Sequence, residues 1–215
     1  MRHQEKIMKL ILPIGIRPPH PTEYPKGYDI ELINTNRERA KIIPGYKICS
    51  PEEQEKFTAY IEVNVNADDL WSVFLGLVEI IIPEDSYGII GFKDEEYILS
   101  PFTSKKYLLN LFLQYRFELL NDGFLAFGIA HNDEYSLNEV LVESFKYIKI
   151  WTTEESRVRE LLHSFSLEVH DDLQFIDEFP IISESLSSKD FPEVRSASTI
   201  IEEISQEFDK WLDGV

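Results

Sequence analysis

The chain has little cysteine and glycine and lacks the common sequence motifs of enzyme families. Its 215 residues include one cysteine, Cys49, so no internal disulfide can form, and a single thiol is typical of proteins from a reducing compartment. Glycine is scarce, at nine residues, and no phosphate-binding loop, dinucleotide fingerprint, nucleophile elbow, zinc-protease helix or paired-cysteine motif occurs. These absences favour a binding protein over an enzyme, and we expect no cofactor and no metal.

No apolar run is long enough to cross a bilayer. The most apolar stretch, residues 70–82, is thirteen residues long and contains Glu79. The short run at 7–12 contains a lysine, is followed by Pro13 and lacks a small-residue cleavage site. We therefore expect a cytoplasmic protein without a signal peptide.

Basic residues are few and unevenly placed along the chain. There are 21 Lys and Arg against 39 Asp and Glu, a formal net charge of −18. Residues 1–50 carry a net +4, whereas 51–150 and 151–215 carry −11 each. A surface this acidic repels phosphate groups. We therefore expect neither nucleic acid nor an anionic membrane as a partner. Because self-repulsion costs stability and a cationic partner relieves it, we expect a basic partner protein.

Composition divides the chain into four predicted parts. Residues 1–50 contain four prolines within 17–26 and are predicted to form an extended basic arm packed on the body, with short edge strands at 30–33 and 42–43. Residues 51–179 form the predicted core domain. Residues 180–197 form a connector rich in serine and proline, and residues 198–213 form a C-terminal amphipathic helix.

The core domain alternates between strand and helix patterns. Period-two alternation predicts strands at 58–65 and 140–151, and further strands are predicted at 87–92, 97–99 and 124–130. Apolar stripes predict helices capped by Asn66, by Ser104 and by Thr152 or Thr153, with Glu155 at capping-box spacing from Thr152. The order amounts to two helix-β-β units and a closing helix. We therefore predict an α+β fold with an antiparallel sheet whose helices pack on one face.

Histidine and carboxylate residues cluster near the end of the predicted core. The group consists of His163, His170, Asp171, Asp172, Asp177 and Glu178. Such side chains hold Zn²⁺, Mn²⁺ or Mg²⁺, and two carboxylates can share acid–base work. No pair of ligands has i, i+4 spacing, and an acidic loop after a helix explains the group without function. A metal-dependent hydrolase built on this group is therefore kept as an alternative.

Aromatic residues lie among carboxylates in three further stretches. The candidate binding residues are Asp94, Glu95, Glu96 and Tyr97; Asp133, Glu134 and Tyr135; and Trp151, Glu154 and Glu155. Tyrosine and tryptophan are typical anchors of protein interfaces, and complementary charge speeds encounter. We predict that these residues contact a basic partner; a solvated acidic face is the alternative interpretation.

Its size, its acidity and its aromatic–acid stretches give the chain a general likeness to a known class. Examples are Gly91-Phe92-Lys93-Asp94-Glu95-Glu96-Tyr97 and Trp151-Thr152-Thr153-Glu154-Glu155. In these features the chain resembles the immunity proteins of bacterial polymorphic toxin systems, small cytosolic α+β proteins that neutralise a cognate toxin by covering its active site. The resemblance implies carboxylates that mimic nuclease-bound phosphates or pair with the toxin's Lys and Arg. No family motif is matched, so no functional residue is carried over.

The C-terminal helix supports a structural alternative. One side of this helix carries Ile200, Ile201, Ile204, Phe208, Trp211 and Leu212. Such a helix can dock on its own body, on a second copy to form a homodimer, or on another protein. An assembly module that oligomerises through this helix is therefore the second alternative to a binder of a basic protein.

Overall fold

The computed structural model describes residues 9–49 and 55–210, so Trp211 and Leu212 lie outside the described residues. Its helices are α1 Ile30–Arg39, α2 Leu70–Ile81, α3 Lys105–Gln114, α4 Arg116–Asn121, α5 Glu155–Ser164 and α6 Ala197–Asp209. Its strands are β1 Ile16–Arg17, β2 Gly45–Cys49, β3 Ala59–Asn64, β4 Asp85–Phe92, β5 Ile98–Leu99, β6 Thr103–Ser104, β7 Leu125–Asn132, β8 Leu137–Val142, β9 Ile148–Thr152 and β10 Ile182–Ser183. No helix in the described ranges has the length and apolarity to span a membrane.

One antiparallel sheet forms the centre of the fold. Its strand order is β2-β3-β9-β8-β7-β4-β5, and β6 pairs with the start of β4. Four antiparallel pairings lead from β3 to β4, so these two strands run in the same direction. Helix α2 makes the crossover between them, and the β7-β8-β9 meander fills the space. The predicted α+β fold with an antiparallel sheet is confirmed.

Helices α2 to α6 pack on one face of this sheet, as predicted. Because side chains alternate along a strand, Ile61, Phe127 and Ile150 point to that face and are buried with apolar residues of all five helices. The Phe127 ring centroid lies 4.9 Å from that of Phe74 in α2 and 5.8 Å from that of Phe112 in α3. Burial of these rings supplies much of the free energy that holds the helices to the sheet.

The opposite face carries none of these helices. Its buried side chains form two small groups, one of Ile89, Ala130 and Leu141 beside Trp151 and one around Tyr147. The loop after α5 covers only the second group. We call the rest of this surface the open face, which consists of Tyr60, Glu62, Tyr87, Ile89, Tyr97, Glu139, Leu141, Glu143, Lys149 and Trp151.

The N-terminal part contains a helix where a strand was expected. Residues 30–33, predicted as an edge strand, begin α1, because the Asp29 side chain accepts a hydrogen bond from the Leu32 backbone N–H at 3.0 Å and caps the helix. The strand predicted at 42–43 is also wrong: these residues precede β2, which is the first strand after α1 and pairs with β3 at the edge of the main sheet. The last residues of the expected arm therefore belong to the sheet.

Basic side chains of the N-terminal part contact acidic residues distant in sequence. Arg17 forms an ion pair with Glu184 at 2.7 Å, next to the pairing of β1 with β10. Lys41 forms an ion pair with Asp172 at 2.8 Å. These contacts fasten the N-terminal residues to two separate regions of the acidic remainder.

The strand predicted over 140–151 is in fact a hairpin of β8 and β9. At its turn Lys146 has a φ of 64°, and its backbone N–H donates to the Glu143 carbonyl at 2.8 Å. The Lys146 ammonium is buried and donates to the Leu125 carbonyl, and burial lowers its pKa to about 7. Apolar and aromatic residues continue through the turn, which explains why the pattern indicated a single strand.

Helix boundaries differ from the predictions by a few residues. The helix predicted over 104–121 is interrupted at Tyr115, whose φ of −113° and ψ of 15° separate α3 from α4. Helix α2 begins at Leu70, four residues after the predicted cap. The capping box expected of Thr152 and Glu155 does not form, because Glu155 is itself the first residue of α5.

The C-terminal segments are tied to the body by polar and apolar contacts. The buried carboxylate of Asp122 accepts hydrogen bonds from the Ser185 hydroxyl at 2.7 Å and the Leu186 backbone N–H at 2.9 Å. Helix α6 buries its apolar side in the main core, where Phe208 lies so close to Gly88 that a Cβ at that glycine would be 2.9 Å from the ring. The described part of α6 therefore docks on its own domain.

We expect Phe127→Ala to lower the free energy of unfolding by about 3–5 kcal/mol, because it opens a cavity where α2 and α3 meet the sheet. Tyr135→Ala is the control: Tyr135 is 82% exposed in a turn, so its loss should change stability by less than about 0.5 kcal/mol. Urea unfolding followed by circular dichroism measures both variants. Equal stability of the two variants would contradict the packing described.

Candidate functional site

Two carboxylates on the open face are each held by one tyrosine and one lysine. The alternation of β8 and β9 directs Glu143 and Lys149 to this face, where Lys149 Nζ donates to Glu143 Oε1 at 2.6 Å. The Tyr97 hydroxyl, which follows the β4–β5 turn, donates to Glu143 Oε2 at 3.1 Å. Each oxygen of Glu143 therefore has its own donor.

Glu62 repeats this arrangement at the β2 side of the face. The Tyr60 hydroxyl donates to Glu62 Oε1 at 2.9 Å, and Lys47 Nζ lies 2.9 Å from Glu62 Oε2. Burial, followed by the neighbouring carboxylate, raises the pKa of Tyr60 and likewise that of Tyr97 far above the ordinary value. Both hydroxyls therefore keep their protons and act as fixed donors.

Glu139 lies on the same face and lacks such partners. It is half-buried, and no hydrogen bond or ion pair reaches its carboxylate from any described residue. The strand register places it opposite Trp151, whose ring centroid lies 5.0 Å from that of Tyr60. Burial, and after it the charge of Glu143, raises the pKa of Glu139 to about 7. A carboxylate in this setting is stabilised strongly by an added cation.

The open face continues into an exposed apolar edge at β5. Tyr97, Ile98, Leu99 and Phe102 are each more than a third exposed. The Phe102 ring centroid lies 4.9 Å from that of Tyr87 on the face itself. Aromatic, apolar and carboxylate groups are thus adjacent on one surface, as in the desolvated centre of many protein interfaces.

Part of the predicted binding set lies at this surface. Tyr97 and Trp151 belong to the open face itself. Asp94, Glu95 and Glu96 are exposed in the β4–β5 turn that leads into Tyr97. The structure therefore brings the acidic turn next to the end of the open face where Tyr97 meets its carboxylate partner.

A second predicted stretch, Asp133 to Tyr135, lies at the opposite end of the sheet in the β7–β8 turn. Asp133 Oδ1 accepts the backbone N–H groups of Tyr135 and Ser136, both at 2.7 Å, and these bonds lower the pKa of Asp133 to about 2. This carboxylate holds its own turn. Glu134 and Tyr135 are exposed beside it.

Glu154 and Glu155, the last predicted pair, begin α5 at that same end. Glu155 contacts Arg159 at 2.7 Å, and Glu154 lies 3.9 Å from Arg157. Both carboxylates are thus partly neutralised by arginines of the helix that they precede or begin. The ten candidate residues consequently do not form one patch.

The residues of the metal alternative are not brought together. This group consists of His163, His170, Asp171, Asp172, Asp177 and Glu178. Among the described residues, no set of three or more His, Cys, Asp or Glu side chains could hold a metal ion. His163 is exposed on α5, Asp172 pairs with Lys41, and Asp177 accepts a hydrogen bond from Tyr147. These side chains have separate contacts, and the described residues form no common metal centre.

The central residues of the open face were not predicted from the sequence. Glu139 and Glu143 alternate with buried valines in β8, and Tyr60 and Glu62 alternate with buried residues in β3. That alternation was a usable signal for a solvent-facing strand surface. Which strands lie side by side depends on the strand order, which the pattern does not specify.

Comparison of the chain with protein-family models, curated proteins and solved structures finds no match. The fold and the site define an acidic α+β protein whose sheet has one open face lined by aromatic and carboxylate side chains.

Glu139→Gln tests the setting of this carboxylate. Its folded-state pKa of about 7 exceeds the ordinary 4.5, so its ionisation weakens folding, and stability is lost as the pH rises from 4.5 through 7. We expect the variant to match the wild type near pH 4 and to exceed its stability by about 1–3 kcal/mol near pH 8. Urea unfolding at the two pH values measures this difference.

Glu134→Gln is the matched control for this experiment. Glu134 is exposed in the β7–β8 turn, and the substitution removes the same charge, so we expect nearly equal stability of this variant and the wild type at both pH values. If Glu139→Gln also equalled the wild type near pH 8, the setting described for Glu139 would be wrong.

Proposed function

We propose that the protein binds a basic partner protein through the open face and thereby sequesters or inhibits it. The observation that carries this proposal is Glu139, a half-buried carboxylate that pairs with no described cation and lies on the sheet face opposite helices α2 to α6. A Lys or Arg side chain of the partner would supply the missing cation. A net charge of −18 fits such a partner.

The surroundings of Glu139 suit an inserted cationic side chain. Glu143 lies four residues further along the chain on the same face, and its charge adds to the negative potential that a guanidinium or ammonium meets at Glu139. The ring of Trp151, which lies opposite Glu139 in the strand register, offers cation–π contact. Charge pairs that exclude water among aromatic anchors are where binding free energy concentrates. The apolar edge at Leu99 adds contact area.

The acidic turns have a different role in this proposal. Asp94, Glu95 and Glu96 are exposed and lie beside the open face, where their charge attracts a cationic protein from a distance. Exposed charges of this kind raise the association rate more than they lower the dissociation rate, and salt screens them. Association should therefore depend strongly on ionic strength.

The sequence character favours an immunity protein as the particular form of this function. In that form the open face covers the active site of a toxin in the cytoplasm, and its carboxylates take the place of substrate phosphates or pair with the toxin's Lys and Arg. Inhibition by occlusion requires only a stable complex. The protein itself performs no reaction in this mechanism.

The assembly alternative is less well supported. It needs a free apolar side on the C-terminal helix, but Ile200, Ile204 and Phe208 are already buried in the domain's own core. Within the described residues, the apolar side of α6 is buried against its own domain.

Affinity capture with three forms of the protein as bait tests the proposal. The baits are the wild type, Glu139→Lys on the open face and Glu160→Lys on the exposed side of α5, and the two variants change the net charge equally. We expect one basic protein, identified by mass spectrometry from native lysate, to be retained by the wild type and Glu160→Lys but lost by Glu139→Lys.

The captured protein is then purified, and its association rate is measured by surface plasmon resonance. We expect the rate to fall by about tenfold or more between roughly 50 and 500 mM salt, because electrostatic attraction dominates the encounter. Retention by Glu139→Lys equal to that by the wild type would contradict the open face as the contact surface. A rate that is independent of salt would contradict a basic partner.

A further inference from the structure

A cleft lies apart from the open face. It is formed by the N-terminal segment, the C-terminal end of α1 and the loop that follows α5, and its volume is about 1080 Å³. This is the upper end of the usual size of small-molecule sites. The cleft shares no residue with the open face. Its apolar wall contains Leu10, Leu12, Ile42, Ile43 and Ile176.

Positive charge accumulates in this cleft although the chain as a whole is strongly acidic. Four basic residues line it, against two acidic ones, Glu38 and Asp172. Lys41 is neutralised by its ion pair with Asp172 at 2.8 Å. The other three basic residues, Lys9, Arg37 and Arg39, form no ion pair with any residue in the described ranges. In a protein with a net charge of −18, unpaired cations in one cleft are a specific local feature.

Arg37 lines this cleft and has one unsatisfied donor. Its Nη2 donates to Asn34 Oδ1 at 2.8 Å, which fixes one side of the guanidinium. Its Nη1 is buried and finds no hydrogen-bond acceptor among the described residues. A buried donor without a partner is destabilising, and the planar guanidinium matches the oxygens of phosphate and carboxylate groups. The side chain gains an acceptor by turning toward an anionic ligand.

We propose that this cleft binds a small organic anion that joins a phosphate or carboxylate group to an apolar or aromatic body. Arg37 and Arg39 hold the anionic group, and the apolar wall formed by Leu12, Ile42 and Ile176 receives the body. The site goes beyond the binding of a basic protein and does not depend on it, because the two surfaces have no residue in common.

Fluorescence titration with two matched probes tests the proposal. The anionic probe is 8-anilinonaphthalene-1-sulfonate, and the neutral probe is N-phenyl-1-naphthylamine, which has the same rings without the sulfonate. We expect the anionic probe to bind at least about tenfold more tightly, the effect of one charge-assisted hydrogen bond. Equal affinity for the two probes would overturn the proposal.

Arginine variants locate the bound probe. We expect Arg37→Gln to weaken the anionic probe by about tenfold and to leave the neutral probe unchanged, and Arg39→Gln to act in the same direction. Arg157→Gln on α5 is the control, because it removes the same charge from an exposed position outside the cleft. Thermal unfolding confirms that each variant is folded. If both cleft variants bound the anionic probe like the wild type, no anion site would exist there.

Competition distinguishes the two sources of the anionic group. Displacement of the sulfonate probe by adenosine monophosphate supports a phosphate ligand, and displacement by laurate supports a carboxylate with an alkyl chain. Failure of both compounds to displace the probe would overturn the proposal. Loss of partner capture by Glu139→Lys tests the open face separately, so the two proposals can fail independently.

Discussion

The packing of Phe127 against Phe74 and Phe112 is the constraint on which both faces of the sheet depend. Because strand residues alternate, burying Phe127 under the helices commits Gly128 to the opposite face. Small residues there leave room for long side chains from neighbouring strands. At Gly91, for example, a Cβ would lie only 2.3 Å from the Tyr97 ring, so the absence of a side chain permits this tyrosine to cover the sheet. The helical core and the aromatic open face are therefore two results of one strand register.

Charge balance explains why one carboxylate on that face is left without a partner. The chain has 21 basic and 39 acidic residues, so internal pairing cannot neutralise every acid. Lys47 forms an ion pair with Glu62, and Lys149 forms one with Glu143. No described cation pairs with Glu139. Such a group weakens the fold, because its charge is partly buried without compensation. Arg37 and Arg39 in the cleft are the reverse case, because they are basic side chains that pair with no described acidic residue.

Much of the fold could be predicted because its main elements have strong local signals, such as the alternation in β3 and the apolar stripe of α2. Helix α1 and the β8–β9 turn could not be predicted, since they depend on a cap from Asp29 and on a left-handed conformation at Lys146. Of the candidate site, Tyr97 was predicted from its residue type and acidic neighbours. Its contact with Glu143 joins residues 46 positions apart and follows from the strand order alone, as does the place of Glu139 in the centre.

The pairing of β1 with β10 can form only late in synthesis, after residues 182–183 have been made. Ile16 faces Ser183 across this small sheet, and the Arg17 guanidinium reaches Glu184, a separation of 167 residues. Closing so long a loop is entropically costly, and its reward comes only when the far strand has left the ribosome. The N-terminal strand is therefore without its native partner until β10 has left the ribosome. The proline-rich residues that follow β1 resist regular strand pairing, so they are less prone to pair wrongly before β10 is made.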